Sequence, residues 1–231
     1  MLVLPFGSVV VSCQAPHDSP FVGPNFMAAF ARAAECGGAS GFRAEGVADV
    51  ESIRAISSLP ILGITKRRSG IESVFITPTF ADAAAVVAAG ADVVALDATE
   101  RPRQDGESLP ELVQRIHEEL GVQVLGDIDS VASAITALKA GVDALATTLS
   151  GYTGGPVPEG PDLELVRDLV ALEACAVVAE GRISRPDHVE AAFALGAHAV
   201  VIGGAITDPV QLTRRFVNGA QHALARHVSA G

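Results

Sequence analysis

The chain has 231 residues, 49% of them hydrophobic, a formal net charge of −11 and no tryptophan. That apolar fraction can fill one α/β barrel or two smaller domains, and the acidic balance argues against nucleic acid or an anionic membrane as partner, since both are bound through basic patches. No segment approaches the ~20 continuous apolar residues of a membrane span, and Cys13, Cys36 and Cys175 show no CxxC or zinc-type spacing, so ordinary buried thiols in a reducing cytoplasm are expected.

The N-terminal "MLVLPFGSVVVSC" ends like a lipoprotein cleavage site, but it lacks a basic n-region and Pro5 and Gly7 interrupt its apolar run, so a cytoplasmic protein is expected. Within it "SVVVSCQ" (residues 8–14) reads as a first strand. The following "QAPHDSPFVGPNF" is not the G-x-G-x-x-G turn of a doubly wound sheet. Helical "FMAAFARAAE" leads to "CGGASGFRAEG", the first of four stretches with one punctuation: a glycine at a helix C-cap, then a short strand. The others are "AGADVVALDAT", "AGVDALATTLSG" and "LGAHAVVIGGA". Their glycines, Gly37, Gly90, Gly141 and Gly196, lie 53, 51 and 55 residues apart.

Each interval holds one more apolar run ("PILGITK", "VQVLGDI", "CAVVAEG"), giving eight strands. Ala-, Leu-, Glu- and Arg-rich segments separate them, several opening on Asp, Ser or Pro as helix N-termini do, and the last starts at Asp208. Eight strands alternating with eight helices predict an α/β fold with parallel strands, a (β/α)8 TIM barrel occupying residues 1–231 as a single domain.

The active site of such a barrel lies at the C-terminal strand ends. Those ends carry Gln14, Arg43 with Glu45, Lys66, Asp97, Asp127, Thr147 to Ser150, Glu180, and the pair Gly203–Gly204. Lys66 is one of only two lysines among 16 basic residues, and it points into the mouth if its parity follows Leu62 and Ile64. Structural readings stand beside the functional ones. Lys66 could pair with Asp97, and Glu180 with Arg182 or Lys66. Asp129 suits a helix N-cap. His17, His117, His188, His198, His222 and His227 have no metal-ligand spacing, with His117, His222 and His227 on polar helical surface, so no metal site is expected. The loops "AEGRISRP" and "IGGAITDP" after the last two strands have small residues exposing backbone N–H groups. Gly181, Arg182, Gly203 and Gly204 are therefore the candidate phosphate cradle.

With these motifs placed, the chain resembles the N-acetylmannosamine-6-phosphate 2-epimerase family. The motifs "VVVSCQ", "GFRAEGVADVESI", "PILGITKR", "FITPT", "ALDAT", "DIDS", "TTLSGYT", "VVAEGRI" and "VIGGAIT" follow in order over nearly the whole length. The resemblance implies a (β/α)8 barrel, an oligomer and no cofactor. It implies interconversion of N-acetylmannosamine 6-phosphate and N-acetylglucosamine 6-phosphate, linking sialic acid breakdown to amino-sugar metabolism. It makes Lys66 and Glu180 the catalytic pair and has Gln14, Arg43, Asp127, Thr148 and Tyr152 hold the sugar. Proton transfer at carbon 2 needs a base whose pKa is tuned, and a lysine desolvated in a barrel mouth can supply one.

Two positions depart from the family pattern. Asp208 stands where relatives have an arginine at the phosphate end, and no tyrosine follows Lys66-Arg67 closely in "KRRSGIESVFITPT". An aspartate facing a dianion would repel it, whereas Asp208-Pro209 also suits the start of a helix. Two other functions stay open: a lyase or isomerase acting on another sugar phosphate or an unphosphorylated amino sugar, and a non-catalytic sugar-binding barrel. Alanine-rich faces such as "FADAAAVVAAG" and "VEAAFALG" suggest a homodimer or small homo-oligomer.

Overall fold

The computed structural model describes residues 2–67, 73–103, 106–154 and 156–228. The stretch after Arg67 that lacks the tyrosine falls largely outside these residues, as does the side chain of His227. Eight parallel strands close into a barrel in chain order: β1 (Ser8–Cys13), β2 (Gly41–Glu45), β3 (Ile61–Ile64), β4 (Val93–Asp97), β5 (Gln123–Asp127), β6 (Ala144–Ala146), β7 (Ala176–Glu180) and β8 (Ala199–Ile202). Between them run α1 (Pro24–Cys36), α2 (Val47–Arg54), α3 (Phe80–Ala88), α4 (Leu109–Arg115), α5 (Val131–Ala140), α6 (Leu163–Val170) and α7 (Pro186–Ala194). After β8 the chain makes a four-residue helix, α8 (Gly204–Thr207), then the long α9 (Pro209–Val228). The eightfold alternation in the sequence is thus a (β/α)8 barrel. No helix among the described residues is long and apolar enough to cross a membrane.

The helix starts follow local chemistry. Thr79, Ser108, Ser130 and Asp162 each accept a hydrogen bond from the backbone N–H three residues on. Asp208 does the same for α9, its Oδ1 accepting from the Gln211 N–H at 2.9 Å. Asp129 is not the cap of α5. Ser130 holds that position, and Asp129 accepts from the Ser130 and Ser133 hydroxyls at 3.1 and 2.6 Å. Gly141 ends α5 in the left-handed conformation with φ 92°, where a side chain would be strained. After α1 the left-handed residue is Gly38 (φ 91°), one later than the sequence pattern indicates, because Gly37 (φ −80°) still continues the helix.

Two apolar layers hold the barrel. Outward strand residues such as Phe42, Val94 and Val200 pack with the buried helix faces, including Ala83, Val86 and Ala192 of the alanine-rich segments. The inward set includes Val10, Leu62, Ile64, Ala95, Leu125, Val178 and Val201. Its base is closed by Leu2 and Leu4, so the N-terminal apolar run is a plug. Gln123 Oε1 accepts from the Val3 N–H at 2.7 Å, and His198 Nε2 lies 2.8 Å from the Leu4 carbonyl. Cys13 is buried, its thiol pushed up to about 12 by burial and then by Asp49, whereas Cys36 is exposed rather than buried as expected.

β3 meets α3 through Gly63, where a Cβ would lie 2.5 Å from Ala91 Cβ and 3.1 Å from Val86 Cβ. Both neighbours are buried, so neither can swing aside. Gly63→Ala is expected to destabilise the fold by about 1–3 kcal/mol through overpacking, read as a lowered urea midpoint. An unchanged midpoint would show that this contact relaxes freely.

Candidate active site

Inward-facing residues on a strand alternate, so the last inward position of each strand rises into the barrel mouth. Pairing puts Ser12 beside Arg43, Arg43 beside Leu62, Asp97 beside Asp127, and Glu180 beside Val201. A cavity of about 480 Å³ opens there, lined by Gln14, Arg43, Lys66, Thr148, Tyr152, Glu180, Gly181, Arg182, Gly203 and Gly204 among others. Of the residues assigned from the sequence to catalysis, the sugar or the phosphate, only Asp127 does not line the cavity. It lies beneath, fully buried.

Asp127 is the anchor. Its two oxygens take Arg43 Nη1 and Nη2 at 2.9 and 2.5 Å, and Thr148 Oγ1 donates to Oδ1 at 2.6 Å. Arg43, only 1% exposed, also donates from Nη1 to Glu180 Oε2 at 2.8 Å. The ion pair of Glu180 is thus with Arg43; Arg182 is committed elsewhere. Thr147, which the sequence marked only as part of a strand end, clamps the Glu180 backbone: its hydroxyl donates to the Glu180 carbonyl at 2.9 Å and accepts from the Glu180 N–H at 3.0 Å. Burial, with Asp127 nearby, pushes the Glu180 carboxyl up from 4.5 to about 7 despite the opposing pull of Arg43, Thr148 and Lys66. Burial alone would lower the Arg43 pKa, but the two carboxylates hold it above its ordinary range.

Lys66 sits just beyond β3, held by antiparallel pairing with Ile76. Ile64 and Lys66 both line the cavity, as the parity argument requires. The ammonium donates to Gln14 Oε1 at 2.5 Å and faces Glu45 Oε2 at 3.1 Å, and Gln14 is held in turn by its Nε2 donating to Ser12 Oγ at 2.8 Å. Its partner is therefore Glu45 and not Asp97, and at 30% exposure beside a carboxylate it lacks the desolvated surroundings expected of it. Asp97 secures a loop instead, accepting from Thr99 Oγ1 at 2.7 Å and pairing with Arg101 at 2.5 Å. The sequence placed Glu45 at a strand end without a role; i, i+2 parity with Arg43 was the available signal.

Arg182 is also fixed. It has the left-handed φ of 56°, and its guanidinium donates to the Gly160 carbonyl at 2.6 Å and to the Ser150 carbonyl while lying 5.3 Å from the Tyr152 ring centre. Among the histidines, His117 Nε2 lies 2.8 Å from Asp143 Oδ2 outside the site, and His222 is exposed on α9.

Residues 27–222 match the family described as "Putative N-acetylmannosamine-6-phosphate epimerase". The chain belongs to this family. A relative from Cutibacterium acnes named "Putative N-acetylmannosamine-6-phosphate 2-epimerase" is 48% identical over 213 residues, 91% of this chain and 92% of the relative. A solved N-acetylmannosamine-6-phosphate 2-epimerase from Clostridium perfringens superposes with a TM-score of 0.89 at 39% identity, covering 93% of this chain and 94% of that one. A thiamine phosphate pyrophosphorylase from Pyrococcus furiosus, 16% identical with a TM-score of 0.60 and 87% of each chain covered, shares the fold alone.

The folded chain binds the Glu180 proton more tightly than an unfolded glutamate, about 7 against 4.5. Its contribution to stability is therefore full below pH 4.5 and is lost as pH rises through about 7. Carbon-13 NMR of the glutamate carboxyls should show one titrating near pH 7 that is missing from Glu180→Gln. The parent should also lose stability relative to Glu180→Gln over that pH interval. A Glu180 midpoint near 4.5 would contradict this account of its burial.

Proposed function

We propose that this chain is a cofactor-independent, cytoplasmic isomerase that epimerises carbon 2 of N-acetylmannosamine 6-phosphate to N-acetylglucosamine 6-phosphate, the whole chain forming one catalytic unit. The observation that carries this reading is a largely buried glutamate, its carboxyl raised to about 7, in the same cavity as Lys66. A group titrating near neutrality can both release and take up a proton at working pH. Family membership supplies the substrate class.

The reaction needs the sugar ring open, so that the carbon 1 aldehyde acidifies the carbon 2 hydrogen. Removing that proton leaves a 2-acetamido enolate with its charge on the carbon 1 oxygen; returning a proton to the opposite face of carbon 2 gives the epimer. Lys66 and Glu180 approach the cavity from β3 and β7 and carry these transfers together with those of ring opening. Arg43 positions Glu180 through the ion pair between them. Gln14 aims Lys66, Thr148 holds Asp127 under Arg43, and Tyr152 closes the cavity over the sugar. The phosphate lies toward Gly181, Gly203 and Gly204.

Incubation with N-acetylmannosamine 6-phosphate in heavy water should place deuterium at carbon 2 of both epimers. Lys66→Ala and Glu180→Ala should each lower this exchange by roughly 10² to 10⁴ while remaining folded. Binding without exchange would leave a sugar-binding barrel, and either variant retaining activity within a few-fold of the parent would remove that residue from the chemistry.

We also propose a homodimer. The alanine-rich faces of α3 and α7 are largely taken up by the barrel, but α9 leaves Phe216 80% and Leu224 67% exposed. Beside it, between α1 and β1, runs an apolar groove of about 480 Å³ lined by Val9, Val11, Phe30, Ala33 and Ile206. One copy's α9 would cover the groove of the other, burying two apolar surfaces that the chain by itself leaves to solvent. Sedimentation should give twice the chain mass at micromolar concentration, and Phe216→Asp should shift it toward monomer. A monomeric parent would rule the dimer out.

A further inference from the structure

Four cationic side chains line the mouth cavity: Arg43, Lys66, Arg182 and Arg215. Three are already matched. Arg43 is held by Asp127 and Glu180, Lys66 by Glu45 and Gln14, and Arg182 by the Gly160 and Ser150 carbonyls. Arg215 is different. Its described hydrogen bond runs from Nη2 to Gln211 Oε1 at 3.2 Å, and no described carboxylate pairs with it. A guanidinium with donors to spare, in a cavity whose other cations have their donors engaged by carboxylates or, for Arg182, by backbone carbonyls, is the group best placed to donate to an entering anion.

Its position follows from the first turn of α9. Asp208 caps that helix by accepting from the Gln211 N–H, which fixes the turn. Gln211 and Arg215 are four residues apart and so project from one helix face. The Gln211 amide oxygen stands 3.2 Å from where a Cβ on Gly204 would be, so Gln211 and Arg215 overlie the Gly203–Gly204 end of the cavity. Asp208 thus uses one carboxylate oxygen to cap the helix that carries Gln211 and Arg215.

We propose that Arg215 is the side chain that recognises the phosphate monoester of the substrate, with Gln211 as its positioning residue. The proposal rests on the reading of the substrate as a sugar phosphate, and it adds that the specificity for phosphate comes from α9. Arg182 is then a scaffold for the loop after β7, with its guanidinium turned to carbonyls.

The test separates the two readings. Binding of inorganic phosphate, measured by calorimetry, needs no turnover. Arg215→Gln should weaken it by about 10- to 100-fold, the loss of a charged hydrogen bond. Arg215→Lys should recover part of that, and Gln211→Ala should give an intermediate loss. Since Arg215 is exposed on its helix, melting temperatures should stay unchanged. In turnover of N-acetylmannosamine 6-phosphate, Arg215→Gln should raise KM far more than it lowers kcat. Equal phosphate affinity in parent and Arg215→Gln, or a parent that binds no phosphate, overturns the proposal. A parent that binds phosphate through Arg215 but exchanges no proton at carbon 2 supports it while removing the epimerase reading.

Discussion

One buried guanidinium between two carboxylates sets the conditions for the rest of the site. Taking Arg43 out of water costs several kcal/mol unless its donors are matched, and Asp127 matches two of them in a fork. Glu180 reaches only the shared Nη1. One positive charge thus faces two potential negative ones within the barrel, and they cannot both be fully compensated. Asp127, entirely buried and bonded by Arg43 and Thr148, is the better held. Glu180, nearest the cavity, is less well held, and its burial together with the Asp127 charge outweighs the pull of Arg43 and raises its carboxyl to about 7. The feature that suits a proton-transfer group therefore comes first from the burial of the Glu180 carboxyl and then from Asp127, with Arg43 opposing both.

Around this centre the polar groups are organised by strand geometry. Strand neighbours differ in height around a tilted barrel, so β2, β5 and β7 deliver Arg43, Asp127 and Glu180 to one level. Lys66 arrives by a different route, since it lies past the end of β3 and depends on the pairing with Ile76 to keep it in the mouth. Its contacts with Glu45 and Gln14 hold it opposite the carboxylates and part-exposed. One proton-transfer group is largely buried and held by Arg43 and Thr147; the other is held by polar contacts that an entering sugar could exchange.

The end of the chain combines two demands. Its first turn faces the cavity and is fixed by a cap; the rest of α9 leaves large apolar side chains in solvent, which a barrel complete in itself would have packed against β1 and β8. Substrate recognition and association of copies would then share one helix, whose start Asp208 fixes.

The sequence alone determined the eight strands, because each carries a short apolar run between helix-stop glycines, and this local pattern survives in any tertiary context. It also determined which residues crown those strands, since side-chain parity along a strand is a matter of counting, and by resemblance it named the family. Partnerships it could not decide. Lys66 with Asp97 on the next strand, and Glu180 with Arg182 or Lys66, were reasonable choices, but the folded barrel brings Glu45 to Lys66 and Arg43 to Glu180. The plug formed by Leu2 and Leu4, the commitment of Arg182 to carbonyls and the reach of Arg215 from α9 into the mouth were equally out of view. Each depends on contacts between segments far apart in the chain, set by packing in three dimensions and leaving no periodicity to read.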